Sequence, residues 1–264
     1  MSVFKAGKYT LPLGERTYVM GILNVTPDSF SDGGKWNNVN LAIKRAHEIE
    51  EQGADILDIG AQSTRPGYER ISIEEEMNRL VPVLEGLRDK LSIPVSIDTF
   101  YPEVAERALE LGADIINDVT GFRDKNMMAV ASKSNCGCII MHDQLGINIK
   151  PFFENQLKIA NEYGIEKERI CFDTGIGFGK TYEENLYVLK HHKDMIVEGC
   201  ATLIGASRKR VIGQPCGNPP FDERLAGTIA AHTIAMVGGA DIIRVHDVAE
   251  AVQAAKVADA ILHI

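Results

Sequence analysis

The sequence predicts a single (β/α)8 barrel over residues 1–264. Two observations carry that prediction. Short apolar runs alternate with amphipathic helical stretches eight times, and one glycine-led joint between helix and strand recurs three times. The length fits as well, since a complete barrel takes roughly 250 residues.

The expected strands are Tyr18–Asn24, Ile56–Gly60, Val95–Asp98, Ile115–Asn117, Cys138–His142, Ile170–Asp173, Thr202–Gly205 and Ile242–Val245. Helical patterns lie over Val39–Gln52, Ile73–Asp89, Pro102–Leu111, Asn126–Lys133, Pro151–Tyr163, Tyr182–His192 and Phe221–Val237, and Ala249–Leu262 comes last. Each is long enough to cross over between parallel strands. The recurring joint reads Gly53-Ala54-Asp55, Gly112-Ala113-Asp114 and Gly239-Ala240-Asp241. Glycine suits the position just past a helix because it accepts positive φ. The branched run after each joint suits a strand buried on both faces. Unequal insertions between the units argue against a solenoid, and no linker or charge run divides the chain. An open doubly wound sheet is the alternative.

At 45% hydrophobic and 25% charged, the composition is that of a globular domain with a large core. No apolar run suits a signal peptide or a membrane span. The net charge of −9 argues against nucleic acid or an anionic membrane as the main partner, though a local cationic cleft could still hold a small anion. Five cysteines without framework spacing fit a reducing cytoplasm, and Cys136 and Cys138 read as two small buried residues.

Barrel enzymes place their chemistry at the C-terminal ends of strands. Those positions hold Asn24; Asp58 with Ser63, Thr64 and Arg65 just beyond; Asp98; Asn117; His142 with Asp143; Asp173; Ser207, Arg208 and Lys209; and Arg244 with His246. Any one of them could be a turn or capping residue. Their recurrence in register points to a site. Asp98, Asn117 and Asp173 form one set. Two carboxylates and an amide match the N–C–NH2 edge of an aminopyrimidinone such as a pterin or guanine. Arg65, Arg208, Lys209, Arg244 and His246 form a second, cationic set suited to phosphate, and the loops after strands seven and eight are a recurrent phosphate site in barrels.

The segment Gly175-Ile176-Gly177-Phe178-Gly179-Lys180 is not a nucleotide loop. Thr174 stands where a Walker A motif needs glycine, and Lys180 where the dinucleotide pattern does. It reads as a flexible loop over the site, with Phe178 as a wall for a flat ligand.

Seven motifs together resemble the dihydropteroate synthase family. Gly21-Ile22-Leu23-Asn24-Val25-Thr26-Pro27-Asp28-Ser29-Phe30-Ser31-Asp32-Gly33-Gly34 is similar to its first signature, and Asp58-Ile59-Gly60-Ala61-Gln62-Ser63-Thr64-Arg65-Pro66-Gly67 to its second. Ser96-Ile97-Asp98-Thr99, Ile116-Asn117-Asp118-Val119, the glycine segment, Ser207-Arg208-Lys209 and Arg244-Val245-His246-Asp247-Val248 follow in order.

That resemblance implies a folate-synthesis transferase that joins 6-hydroxymethyl-7,8-dihydropterin pyrophosphate to p-aminobenzoate. It implies that Asp98, Asn117, Asp173 and Lys209 hold the pterin, and that Asn24, Arg65, Arg244 and His246 hold the pyrophosphate, with Mg2+ near Asn24. By the same resemblance Thr64, Arg65, Pro66, Phe178, Ser207 and Lys209 line a p-aminobenzoate slot where sulfonamides compete. Asp98, Lys209, Arg244 and His246 would carry the catalysis. The loops bearing Asp28–Asp32 and Ser63–Gly67 would close over the substrates, and two copies would form a homodimer through the later helices. An SN1-like displacement follows, because an electron-rich pterin stabilises positive charge on its exocyclic carbon.

The chain departs from the family pattern in three places. His142 is followed by Asp143-Gln144, Thr174 stands where proline is usual, and the segment from Gln144 to Pro151 is short. The threonine should loosen the start of the glycine segment, since proline fixes φ. Two other readings share parts of this pattern. A methyltetrahydrofolate–corrinoid methyltransferase would have the pterin clamp without a pyrophosphate pole. A non-catalytic pterin-binding barrel would have lost clamp or anion residues.

Overall fold

The computed structural model describes residues 2–26, 35–62 and 70–264. It begins with an antiparallel hairpin of β1 (Val3–Ala6) and β2 (Tyr9–Pro12). Eight parallel strands then close into a barrel: β3 (Tyr18–Asn24), β4 (Ile56–Gly60), β5 (Val95–Asp98), β6 (Ile115–Asp118), β7 (Gly137–Met141), β8 (Ile170–Asp173), β9 (Ala201–Ile204) and β10 (Ile242–Val245). Each pairs with its neighbours in sequence, and β10 pairs with β3 to close the ring. The helices between and after them are α1 (Lys35–Glu51), α2 (Ile73–Leu87), α3 (Pro102–Glu110), α4 (Lys125–Ser132), α5 (Ile149–Glu162), α6 (Tyr182–Lys190), the short α7 (Arg210–Gly213), α8 (Leu225–Val237) and α9 (Val248–Leu262). Among the described residues no helix is long and apolar enough to cross a membrane.

The recurring joint works as expected and does more. Gly53, Gly112 and Gly239 take φ of +93°, +100° and +87°. The aspartate of each joint then latches the preceding strand. Asp55 Oδ2 accepts from Val19 N at 2.9 Å, Asp114 Oδ2 from Val95 N at 3.0 Å, and Asp241 Oδ2 from Thr202 N at 2.9 Å. The backbone N–H of each aspartate donates back to the carbonyl of that same residue. Three strand pairs are thereby fixed in register where they begin. The β7/β8 pair uses Arg169 instead, which donates to the carbonyls of Cys136 and Ala131 at 2.8 Å each. Cys136 and Cys138 are free and buried beside it.

Side chains alternate along each strand, so residues two apart share a face. Ile56 and Asp58, Ile115 and Asn117, Cys171 and Asp173, and Ile242 and Arg244 are such pairs. The first member of each joins an apolar layer inside the barrel, with Tyr18, Met20, Ile139 and Leu203. The second member rises above it towards the mouth. Phe4, Ala6 and Leu13 belong to the same apolar layer, so the hairpin plugs the opposite end of the barrel.

The hairpin was not anticipated, because two four-residue strands with partly exposed faces carry little periodic signal. Two expected strands run one residue early, at β7 and β9. Gly137 opens β7 because the plug lies against it: a Cβ there would sit 2.7 Å from Phe4 Cζ. The helix expected over Phe221–Val237 is divided into a 3-10 turn at Phe221–Glu223 and α8. Arg224 makes the break, with Nε donating to Pro219 O at 2.9 Å and Nη1 to Arg208 O at 3.1 Å. The short α7 was not expected either.

Candidate active site

The centre of the barrel mouth is an acid–base network built from four strands. Asp58 on β4 is completely buried. Its Oδ1 accepts from Ser96 Oγ at 2.7 Å, and its Oδ2 from Arg244 Nε at 2.6 Å and Asn117 Nδ2 at 3.3 Å. Arg244 reaches on to Asp98, donating from Nη2 to Oδ2 at 2.9 Å. One arginine from β10 thus spans the acids of β4 and β5. Asp98 Oδ1 is buried and has no hydrogen-bond partner among the described residues. Burial pushes the Asp98 carboxyl up to about 7; Arg244 opposes the shift, and Asp58, Glu76 and Asp118 add to it.

Asp173 and Lys209 form the neighbouring unit. Asp173 is buried, and its Oδ1 accepts from Gly175 N at 2.8 Å. Burial raises its pKa, while the ammonium of Lys209 opposes that shift. Lys209 is brought down to about 8, again by burial, against the pull of Asp173. Its Nζ donates to Ile176 O at 2.6 Å and sits 4.8 Å from the centre of the Phe178 ring. Gly205 separates the two units: a Cβ there would lie 3.7 Å from Arg244 Cβ and 3.9 Å from Lys209 Nζ.

Ser207 and His246 meet at the rim. The Ser207 hydroxyl oxygen accepts from His246 N at 3.2 Å and lies 3.0 Å from His246 Nδ1. The His246 ring packs edge-on against Phe221, with centroids 5.2 Å apart. Asn24 ends β3, half-buried, in register with Gly60. Thr64, Arg65 and Pro66, and the loops containing Asp28–Asp32 and Ser63–Gly67, lie outside the described residues.

Three sequence expectations change here. Arg208 does not join the cationic set as a free ligand. Its backbone takes φ of +57°, and its guanidinium is held in a bidentate pair with Asp247. The carboxylate clamp and the cationic pole are also not separate groups, because Arg244 binds Asp58 and Asp98 directly. The glycine segment is not a loosely held flap. Gly177 N donates to Asn185 Oδ1 at 2.6 Å, and Lys180 Nζ donates to the carbonyls of His142, Gly175 and Phe178 at 2.9, 3.1 and 3.0 Å. Thr174 is buried at its start.

Sequence reasoning assigned no role to Asp58, Ser96 or Lys180. For Asp58 a signal existed, since it stands two residues after Ile56 and therefore shares the inward face. His142 was noted at a strand end, but its side chain faces away from the mouth, edge-on to Phe152 at 5.2 Å. Burial holds it near 4, so it is neutral at physiological pH.

A parallel barrel carrying buried acids, an amide and two cations at its C-terminal strand ends defines a small-molecule enzyme with polar recognition at its mouth. Residues 20–246 match the family of pterin binding enzymes. The chain is 47% identical over 267 residues to the dihydropteroate synthase of Clostridium beijerinckii, covering 98% of this chain and 99% of that protein. Among solved structures, the Xanthomonas albilineans dihydropteroate synthase with 4-aminobenzoic acid superposes with a TM-score of 0.94 at 38% identity, covering 100% of both chains. The Burkholderia cenocepacia dihydropteroate synthase complexed with 7,8-dihydropteroate does so with a TM-score of 0.90 at 36% identity, covering 99% of this chain and 97% of that one. The chain belongs to the pterin binding enzyme family, among its dihydropteroate synthases.

Proposed function

We propose that this protein makes 7,8-dihydropteroate for folate biosynthesis from 6-hydroxymethyl-7,8-dihydropterin pyrophosphate and p-aminobenzoate, releasing pyrophosphate. The observation that carries this reading is Asp98 Oδ1, buried in register with Asn117 and without a hydrogen-bond partner among the described residues. A buried acceptor without a donor is costly, and a ligand ring N–H or amino group would satisfy it. Asp173, Asn117 and Lys209 complete the pterin contacts in this reading.

The reacting bond joins the exocyclic CH2 of the pterin to a pyrophosphate oxygen. It breaks with both electrons leaving on pyrophosphate, while the dihydropterin ring delocalises the positive charge left on carbon. The amine of p-aminobenzoate then donates its lone pair to that carbon, and the resulting ammonium gives its proton to solvent. Arg244 and His246, with Asn24 and Arg65, would stabilise the departing pyrophosphate. Phe178, Ser207, Lys209, Thr64, Arg65 and Pro66 would orient the aryl amine, and sulfonamides would compete there. Catalysis of this kind rests on preset charge and orientation, and removing one such group costs about 10²–10³ in rate.

The donor set fits Mg2+ carried in by the substrate. Among the described residues no group of three or more His, Cys, Asp or Glu side chains forms a metal cage. Mg2+ commonly binds through one or two protein oxygens plus substrate phosphates. Asn24 would supply such an oxygen, and the ion would neutralise pyrophosphate charge.

A cytoplasmic homodimer is part of the same reading. Ile234 and Val237 on α8 and Val257 and Ile261 on α9 are each more than half exposed. The two helices pack together, and exposed apolar residues on adjoining helices are the kind of feature that marks an interface. The test of the reaction is pyrophosphate release from the pterin pyrophosphate when p-aminobenzoate and Mg2+ are supplied with it. Its absence when both ligands are bound at saturation would sink the reading.

A further inference from the structure

The loop after β8 comes close to the loop after β7. A Cβ on Gly175, which has φ of +67°, would lie 2.1 Å from His142 O, so only glycine permits this approach. Gly146 N donates to Gly179 O at 3.2 Å, joining the two loops a second time. Between these points sits Lys180, half-buried, with its ammonium on three backbone carbonyls. Two of them, Gly175 O and Phe178 O, belong to its own loop, and His142 O belongs to the neighbour. An ammonium has three donors, and here all three are used.

The end of the segment is anchored from the other side. Asn185 Nδ2 donates to Thr181 O at 2.6 Å, and Thr181 and Glu184 form a capping box that starts α6. Asp173, Asp143 and Glu184 face the ammonium and favour its charge, while burial brings it down to about 8. Phe178, whose carbonyl Lys180 holds, carries the ring beneath Lys209 Nζ, and Ile176 within the same turn supplies the carbonyl that Lys209 Nζ binds.

We infer that Lys180 is a positioning residue for the reaction, setting the place of the Phe178 wall and so the fit of the aryl amine. The inference rests on the synthase reading of the site. Lys180 itself donates to no described side chain of the mouth; its three carbonyl contacts determine where Phe178 stands.

The test is steady-state pyrophosphate release by the full chain as wild type, Lys180→Met, Phe178→Ala and the double variant. Lys180→Met is expected to raise KM for p-aminobenzoate roughly tenfold or more, since small misplacements at a reacting site are that costly, while KM for the pterin pyrophosphate moves less than about twofold. Added to Phe178→Ala, it should cost little further, because the two residues act as one unit. Lys180→Gln, which keeps a donor for one carbonyl, is expected to fall in between and carries the same cycle if the methionine variant does not fold. Additive losses, or an equal rise in both KM values, overturn the inference. A wild type that releases no pyrophosphate overturns the synthase reading and this inference with it.

Discussion

Arg244 donates from Nε to Asp58 Oδ2 at 2.6 Å, and Asp58 is completely buried. The contact ties β10 to β4 across the barrel mouth. Asp58 thereby aims an arginine assigned to pyrophosphate, while its other contacts hold Asn117, assigned to the pterin. Under the proposed function, Asp58 would position groups for both substrates.

Replacing Asp58 should therefore damage both functions and the fold together. Breaking one side of a buried ion pair costs about 3–5 kcal/mol. Asp58→Ala is expected to lose about that much in urea denaturation. Asp58→Asn should retain more stability, since its one amide oxygen can still accept from Ser96 and Asn117, but still lose activity by about 10²-fold, because its NH2 faces the Arg244 donors and misplaces them. An asparagine variant with wild-type kcat/KM would refute the positioning role.

Asp98 predicts how pterin binding responds to pH. Its folded-state pKa of about 7 lies above the ordinary value of 3.8 because burial disfavours the charged form. The folded protein therefore keeps a proton, between those values, that the unfolded chain has released. This group's contribution to stability falls as pH rises through that window. A ring N–H and amino group require the ionised carboxylate as acceptor. Pterin affinity should thus lose about tenfold per pH unit below about 7 and level off above it. Asp98→Asn should bind pterin weakly, remain folded, and show none of this slope. Calorimetric titration at several pH values would settle it: a flat wild-type affinity between pH 5 and pH 8 contradicts the assignment.

The barrel was legible because its joints are chemically marked. A Gly-Ala-Asp triplet needs positive φ and then offers a latch, so three strand starts could be placed without structural help. Strand-end position picked out Asp98 and Asp173, while Asp58, whose period-two spacing from Ile56 marks the same inward face, was left without a role. What stayed hidden depended on backbone direction. Arg208 and Lys209 are adjacent cations in one motif, yet the left-handed turn at Arg208 sends its guanidinium to Asp247, while Lys209 faces Asp173 and Ile176 O. Lys180 was hidden for another reason. Its partners are main-chain carbonyls from two loops, and a residue pattern does not encode which carbonyls converge.

The aspartate latch makes a prediction about stability alone. Asp241 Oδ2 accepts from both the backbone N and the Oγ1 of Thr202 at 2.9 Å each, at the barrel end remote from the mouth. Asp241→Ala leaves a strand N–H without its acceptor, at a cost of about 1–3 kcal/mol. The melting temperature should fall, while KM for both substrates at 25 °C stays at the wild-type value. A change in either KM without loss of stability would show that the latch communicates with the site.

The exposed apolar residues of α8 and α9 offer a test of the proposed homodimer. Ile234 is 56% exposed, Val237 63%, Val257 58% and Ile261 64%, on two helices that pack against each other. Apolar residues exposed on adjoining helices cost solvation free energy unless they are covered. A second copy of the same face, related by a two-fold axis, would cover it in an isologous interface. The wild type is expected to scatter light as twice the 29.0 kDa chain mass. A paired Ile234→Glu, Val257→Glu variant should run at the single-chain mass, because it places like charges and unpaired carboxylates in the apolar centre. A wild type already monomeric at micromolar concentration would remove the homodimer from the proposed function.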